Sequence, residues 1–416
     1  MPRDEHDNFL MTAEHISGGC PASIDQLDEP AWSGSDVITH TPPESDWSAA
    51  LHDRGIRSMP YLNFSYEYAS NYEIGPTPPF AVIDQLNRPQ LHENYLRHDG
   101  KLIYATCNNT AAARDITLKR AEQLMKCGCD GLFLDNAAPS PKCWGPHFNQ
   151  HQHIHADDPN VRAPGHRPFT YSKAARNHRH AVPIADETQT YASAMLLKEI
   201  RDLVRSYCPD GRIMINLGDG SSAPPLFFEH VDSVMNEMFV YTTYGDCNFP
   251  VPTDMDYQEH SIFDWLSVLE WEDPFHRQGV RMANLSAFTR IDPKRKDHAL
   301  FAYCASKLYD ALYYTHEFDD TDCWLRQFRL GRPLTDAPGA WGAVLFREYE
   351  NGLVVLNPYG IAQQAVVPWT NKPDQYDTHS SEPLQSAISE CNDPNARGSI
   401  TVKLTPDHCA LIVPRS

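Results

Sequence analysis

GLFLDN, residues 131–136, is a short apolar run that ends in Asp135 and Asn136. A carboxylate is costly to bury and adds nothing to apolar packing, so its place at the carboxyl end of a buried strand points to chemistry. Upstream, residues 111–127 (AAARDITLKRAEQLMKC) put Ile116, Ala121, Leu124 and Met125 at helical spacing, and Gly128 with Gly131 brackets the turn into the strand. A helix feeding a near-continuous apolar strand is the unit of a parallel sheet covered by helices, whose active sites form at the strands' carboxyl ends. Taken alone, Asp135 equally fits a residue that caps the following turn through its own backbone.

The same pattern recurs along the chain. Strands are predicted at residues 9–15, 36–40, 56–64, 131–136, 212–218, 232–241, 280–288 and 311–316. Helix-period segments separate the later ones, among them residues 191–207, closed by the Pro209-Asp210-Gly211 turn, and residues 298–309. Strand alternating with helix predicts a parallel α/β architecture, and eight repeats favour a TIM-type (β/α)8 barrel over a doubly wound sheet. Neither GxGxxG nor GxxxxGK[ST] follows any strand, which argues against a nucleotide-binding sheet.

After about residue 335 the pattern changes. Residues 341–357 (WGAVLFREYENGLVVLN) predict two strands joined at Asn351-Gly352, a dipeptide suited to a two-residue hairpin turn, and residues 399–414 predict two more. The expected organisation is a barrel over residues 1–335, with a long His-rich insertion at about 137–190, and a C-terminal antiparallel, β-sandwich-like domain over 336–416. Residues 371–397 are expected to form a polar loop.

Composition sets outer limits. The 416 residues are 41% apolar, as in a globular protein, and the net charge of −20 disfavours nucleic acid or an anionic membrane as partner. A neutral or cationic ligand fits better. The opening MPRDEHDNFLMTAEH carries charges where a secretory leader needs an apolar core, and no run approaches a membrane span. Eleven scattered cysteines suit a reducing compartment, so the expected location is cytoplasmic.

The second chemical landmark is Glu237, which interrupts the apolar strand VDSVMNEMFVY at 231–241. A carboxylate in such surroundings neutralises by raising its pKa, as a general acid requires, or pairs with a cation such as Arg281 or Arg290. Two carboxylates in unequal environments are the minimum equipment for glycoside hydrolysis.

GCDGLFLDN, followed by a strand ending in INLGDG and then by VDSVMNEMF, resembles barrel glycoside hydrolases in the neighbourhood of family 114, the endo-α-1,4-polygalactosaminidases. It is more loosely similar to family 66 dextranases and to several hypothetical glycosidase families, whose barrel-to-β-domain junction WGAVLFREYENGLVVLNP also resembles. The resemblance implies an Asp nucleophile after strand four and a Glu acid/base from a following strand, matching Asp135 and Glu237. It further implies a retaining mechanism on α-linked sugars, with an oligosaccharide or glycoside as substrate and no cofactor.

Other polar residues at predicted strand ends form a candidate binding shell: Glu14 and His15, Tyr61 and Asn63, Asn136, Asn216 with Asp219, Asn284, and His316. Strand alternation in PYLNFSY puts Tyr61 and Asn63 on one face. Tyr241, Tyr244 or Trp271 could stack on sugar faces. Asn216 and Asp219 equally fit turn formers beside Gly218 and Gly220, and the tryptophans equally fit a core. HQHIHADD at 151–158 offers imidazoles and carboxylates to a metal, but no HExxH or Cys₂His₂ spacing accompanies it, so a substrate-shaping lid is expected and no metal site. Cys127, Cys129 and Cys143 lack a second CxxC and are expected as buried thiols.

Overall fold

The structure, a computed structural model, describes residues 10–12, 23–29, 32–68, 78–83, 86, 89–90, 103–140, 143, 187–216, 224–236, 275–287, 295–316, 323–336, 338–341, 344–358, 361–381, 398–405 and 408–415. Its strands and helices run, in chain order, β1 (Leu10–Thr12), β2 (Val37–Thr39), α1 (Ser45–Asp53), β3 (Arg57–Met59), β4 (Tyr61–Asn63), β5 (Tyr66–Tyr68) and β6 (Ile103–Ala105). They continue with α2 (Ala111–Met125), β7 (Gly131–Asp135), α3 (Glu187–Tyr207), β8 (Arg212–Asn216), β9 (Ser233–Asn236), β10 (Arg281–Ala287), α4 (Arg295–Leu308) and β11 (Leu312–His316). The last seven strands are β12 (Gly339–Trp341), β13 (Val344–Tyr349), β14 (Gly352–Asn357), β15 (Gln363–Pro368), β16 (Tyr376–Ser380), β17 (Ser399–Leu404) and β18 (His408–Pro414). Two compact units emerge, one comprising residues 39–52 and 57–235, the other residues 1–38, 53–56 and 236–416.

In the first unit, β4, β7, β8 and β9 lie side by side and parallel. The core of β7 (Leu132, Phe133, Leu134) and of β8 (Ile213, Met214, Ile215) is fully buried, as expected of strands covered on both faces. Gly131 starts β7 because Arg212 of β8 passes close: a Cβ there would lie 2.1 Å from the Arg212 carbonyl oxygen. Helix α2 begins at Thr110, whose hydroxyl accepts from the Ala113 amide at 3.3 Å. Its buried face runs through Ala113, Thr117, Ala121 and Met125, one turn apart, while Ile116 and Leu124 stay half-buried. Helix α3 buries Leu196, Ile200 and Val204 and faces α2 through an Arg114–Glu199 ion pair.

The strand expected over 56–64 is broken at Pro60, which has no amide hydrogen, into β3 and β4. The Pro60 carbonyl still accepts from the Phe133 amide at 3.1 Å, so the break costs no pairing with β7. β5 and β6 form an antiparallel pair that periodicity gave no sign of, held to α2 by Glu67 and Arg120.

In the second unit, β10 and β11 pair in parallel. Beyond them, β12, β13, β14, β18 and β16 form an antiparallel sheet in that order, and β15 pairs with β17. Val344, Leu353, Val355, Val367, Ile400, Val402 and Ile412 fill a core between these two sheets. Val354, Leu356 and Leu411, on the other face of the larger sheet, pack on α4 residues Phe301, Ala305 and Leu308. β14 is buried at all six positions for that reason.

Two details differ from expectation here. The β13–β14 turn is Glu350-Asn351, with Tyr349 paired to Gly352, one residue before the expected Asn351-Gly352. Gly352 is needed for close approach instead of turn geometry: a Cβ would sit 2.7 Å from Leu330 Cδ2 and 3.0 Å from the Ile412 carbonyl oxygen. β16 crosses the stretch expected as polar loop, because β18 offers it a free edge and Tyr376 packs on Trp369 with ring centroids 5.5 Å apart.

Candidate active site

Asp135 closes β7, and its surroundings follow from strand register. Asn63 of β4 is the register partner of Asp135, and Leu134 pairs with Ile215, so Asn216 of β8 comes level with Asp135 on the other side. Neighbouring parallel strands in register present side chains of one level on one face. Asn216 Nδ2 accordingly donates to Asp135 Oδ1 at 2.8 Å, and the Tyr61 hydroxyl donates to Oδ2 at 3.2 Å. Asn63 Nδ2 donates to the Tyr61 oxygen at 3.2 Å, with its own Oδ1 accepting from the Tyr66 amide at 3.0 Å. Tyr61 and Asn63 do share a face.

Asn136 contributes through its backbone. Its φ of 52° lies in the left-handed region, which asparagine tolerates better than most residues. The tight turn lets Asn136 Nδ2 reach back to Asp135 Oδ2 at 2.9 Å, and the Ala137 amide donates to the Asn216 carbonyl at 2.9 Å.

His40, at the end of β2, completes the cluster and was not among the expected site residues. Its φ is 58°, and its ring stacks on Tyr61 with centroids 4.8 Å apart while lying 4.8 Å from Phe133. A signal existed in the sequence: VIT followed by His40 repeats the pattern of LFL followed by Asp135.

Burial pushes the Asp135 carboxyl above the ordinary carboxylate value. The Asn136 amide, the His40 charge, and the Tyr61 and Asn216 hydrogen bonds pull against that rise without cancelling it. The amide nitrogens of Asn136 and Asn216 can only donate, so both carboxylate oxygens are held as acceptors, the arrangement of an ionised carboxylate. Such a group can attack an electrophilic carbon or accept a proton from water.

Glu237, Glu14, His15, Asp219, Tyr241, Tyr244 and Trp271 lie outside the described residues, as does the His-rich stretch 151–158. His316 ends β11, and its side chain lies outside the described part. Asn284 is fully buried on β10 in the second unit, where its amide donates to Ser306 Oγ of α4 at 3.5 Å. Arg281, considered above as an ion-pair partner for Glu237, is engaged by Asp310. Cys129 and Cys143 are buried and Cys127 half-buried, all as thiols. Among the described residues no three His, Cys, Asp or Glu side chains cluster as a metal site, and no helix is long and apolar enough to cross a membrane.

No family model matches the chain, and no curated protein does. Among solved structures it is similar to the alpha-glucosyl transfer enzyme XgtA, with a TM-score of 0.53 and 10% identity over 99% of this chain and 100% of that one. Eubacterium rectale Amy13B gives a TM-score of 0.52 and 9% identity, over 100% of this chain and 96% of that one. The glycoside hydrolase domain of PelA from Pseudomonas aeruginosa is 16% identical over 76% of this chain and 96% of that one, with a TM-score of 0.42. At such identities the first two likenesses speak for the fold alone.

Proposed function

We propose that the chain is a glycoside hydrolase acting on α-linked sugars, built on a closed (β/α)8 barrel over residues 1–335 with an accessory β domain over 336–416. The observation that carries this reading is a carboxylate at the carboxyl end of a parallel strand, held as an acceptor by Tyr61, Asn136 and Asn216. Asp135 attacks the anomeric carbon, and the hydrogen bonds that fix its plane keep one lone pair directed at the substrate. Glu237 protonates the leaving oxygen and then activates water for the second displacement. In sequence it stands two residues after Met235, the register partner of Asn216, the spacing that puts residues on one face of an extended strand. Asn63 and His40 line the sugar site, with Glu14, His15, Asp219, Tyr241 and His316 as further contacts proposed from sequence alone; Asn284, buried against α4, is not among them. The chain's net charge of −20 adds a preference for neutral or cationic sugars, so an α-1,4-linked galactosamine polymer belongs among the first substrates tested.

The test is hydrolysis of α- and β-linked oligosaccharides, an α-1,4-galactosaminan and aryl glycosides by wild type, Asp135→Asn and Glu237→Gln, all with chelator present. Cleavage that both substitutions abolish supports the carboxylate pair. Cleavage that survives both, or that chelator alone abolishes, overturns it.

A further inference from the structure

Cys107 sits in the buried turn between β6 and α2, where its thiol meets two segments that adjoin residues 144–186, the greater part of the His-rich insertion. On one side Cys107 shares a small buried cluster with Cys143, whose neighbouring thiol raises the Cys107 pKa. On the other, Gln189 Nε2, in the first turn of α3, donates to Cys107 Sγ at 3.4 Å. Both cysteines are buried, at 0% and 3% exposure, among Val82, Ile83 and Ala105. The surrounding turn is braced on the same segments: the Asn108 amide donates to Ser140 Oγ at 3.2 Å and Asn108 Nδ2 to Ser193 Oγ at 3.2 Å. Cys143 is further held by the Ile83 amide, which donates to its sulfur at 3.4 Å.

We infer that Cys107 and Cys143 are a dithiol–disulfide pair, a covalent clasp that fastens the chain leaving β7, and with it the start of the insertion, to the β6–α2 turn. Joining two thiols of one buried cluster requires their sulfurs to close to the S–S bond length of about 2.05 Å. The step is exchange with a disulfide oxidant such as oxidised glutathione. One thiolate attacks the oxidant's S–S bond and releases one thiol; the second displaces the other, and the two protons and two electrons leave with the reduced oxidant. Burial and the neighbouring thiol keep Cys107 protonated and slow to exchange in the folded chain. The bond therefore forms as the segment docks, and once formed it is shielded from reductant.

The full chain is equilibrated in glutathione buffers from fully reduced to fully oxidised, with sub-denaturing urea to admit exchange. Remaining thiols are then alkylated in denaturant without reductant, and the digest is weighed. At the oxidising end we expect a joined pair of peptides carrying Cys107 and Cys143, lost on reduction. Finding either cysteine alkylated there, or joined to a different partner, overturns the pairing. Closing a loop of roughly forty residues raises the thermal midpoint of the oxidised chain over the reduced one by roughly 5–10 °C. Cys304 and Cys409 also share a buried cluster, so the shift is assigned through Cys143→Ser and Cys107→Ser. Each is expected to abolish most of it, and a shift that survives both overturns the clasp.

Discussion

Asp130 and Asp135 bracket the same strand, and they are treated differently by the fold. Asp130, just before β7, accepts from His52 Nε2 at 2.7 Å and from the Ser58 amide at 2.9 Å, both through Oδ2. Its own backbone joins the ladder, the amide donating to the Ser58 carbonyl and the carbonyl accepting from Arg212. Asp130 is bonded into the scaffold. The Asp135 backbone joins the ladder too, its carbonyl accepting from the Phe64 amide at 2.9 Å, but its carboxylate is held by Tyr61, Asn136 and Asn216 in surroundings that penalise its charge. Each has a histidine nearby, but His52 is hydrogen-bonded to its aspartate, whereas His40 stacks on Tyr61 and acts on Asp135 through its charge. In sheets of parallel strands the starting ends carry stability and the carboxyl ends carry chemistry. These two residues divide in that way.

The largest expected effect separates them outright. Asp135→Asn should lower kcat/KM on whichever substrate the panel reveals by at least about 10³-fold. Asp130→Asn should leave kcat/KM within about threefold and instead cost about 1 kcal/mol of stability, read by calorimetry. Equal losses of activity in both variants would erase the distinction.

Next come the donors. Asn216→Ala should reduce kcat by about 10- to 100-fold, and Tyr61→Phe by less, because each removes one bond that orients and stabilises the ionised carboxylate. Both bonds lower the Asp135 pKa, so both variants should move the acid limb of the kcat/KM profile to higher pH. His40→Gln should move it the same way by removing a nearby positive charge. A limb that stays in place in all three variants would show that another group controls it.

The sign of the Asp135 shift also makes a stability prediction. A carboxyl whose folded pKa is raised contributes stability that is present below the unfolded pKa and lost as pH rises through the folded one. Asp135→Asn should therefore gain on wild type as pH rises from strongly acidic to neutral. Thermal midpoints at several pH values test this, and a constant difference would refute it.

Lys307 extends the comparison to a buried cation and gives the smallest and most local effect. Its ammonium donates to the Ala311 carbonyl at 2.7 Å beside the Tyr303 ring, and burial lowers its pKa to about 7. The unfolded chain then binds the extra proton between about 7 and 10.5, so this residue makes stability rise with pH across that window. Lys307→Met should flatten the rise, as denaturant titrations at pH 7 and 9.5 would show.

What could be read in advance followed local pattern. Every predicted barrel strand contains an observed one, because apolar runs bounded by turn residues leave the backbone few alternatives. Asp135, Tyr61, Asn63 and Asn216 stood out as polar groups on or just after such runs. His40 did not, although it ends the predicted strand 36–40 as Asp135 ends 131–136; its role rests on stacking against Tyr61 from a neighbouring strand. β5, β6, β12, β15 and β16 were missed because each is fixed by its pairing partner. The Gly352 register shift depended on Leu330 and on the Ile412 carbonyl, which no local pattern reveals.

The sequence by itself determined where strands run and which ionisable groups stand at their ends, because both depend on the alternation of apolar and polar residues within a few positions. Only the tertiary structure decided that Asn63, Asp135 and Asn216 share one level, that Asn136 turns back on Asp135, and that Asp130 faces His52. Those outcomes are set by register between strands tens of residues apart, where a one-residue slip would send every side chain to the other face.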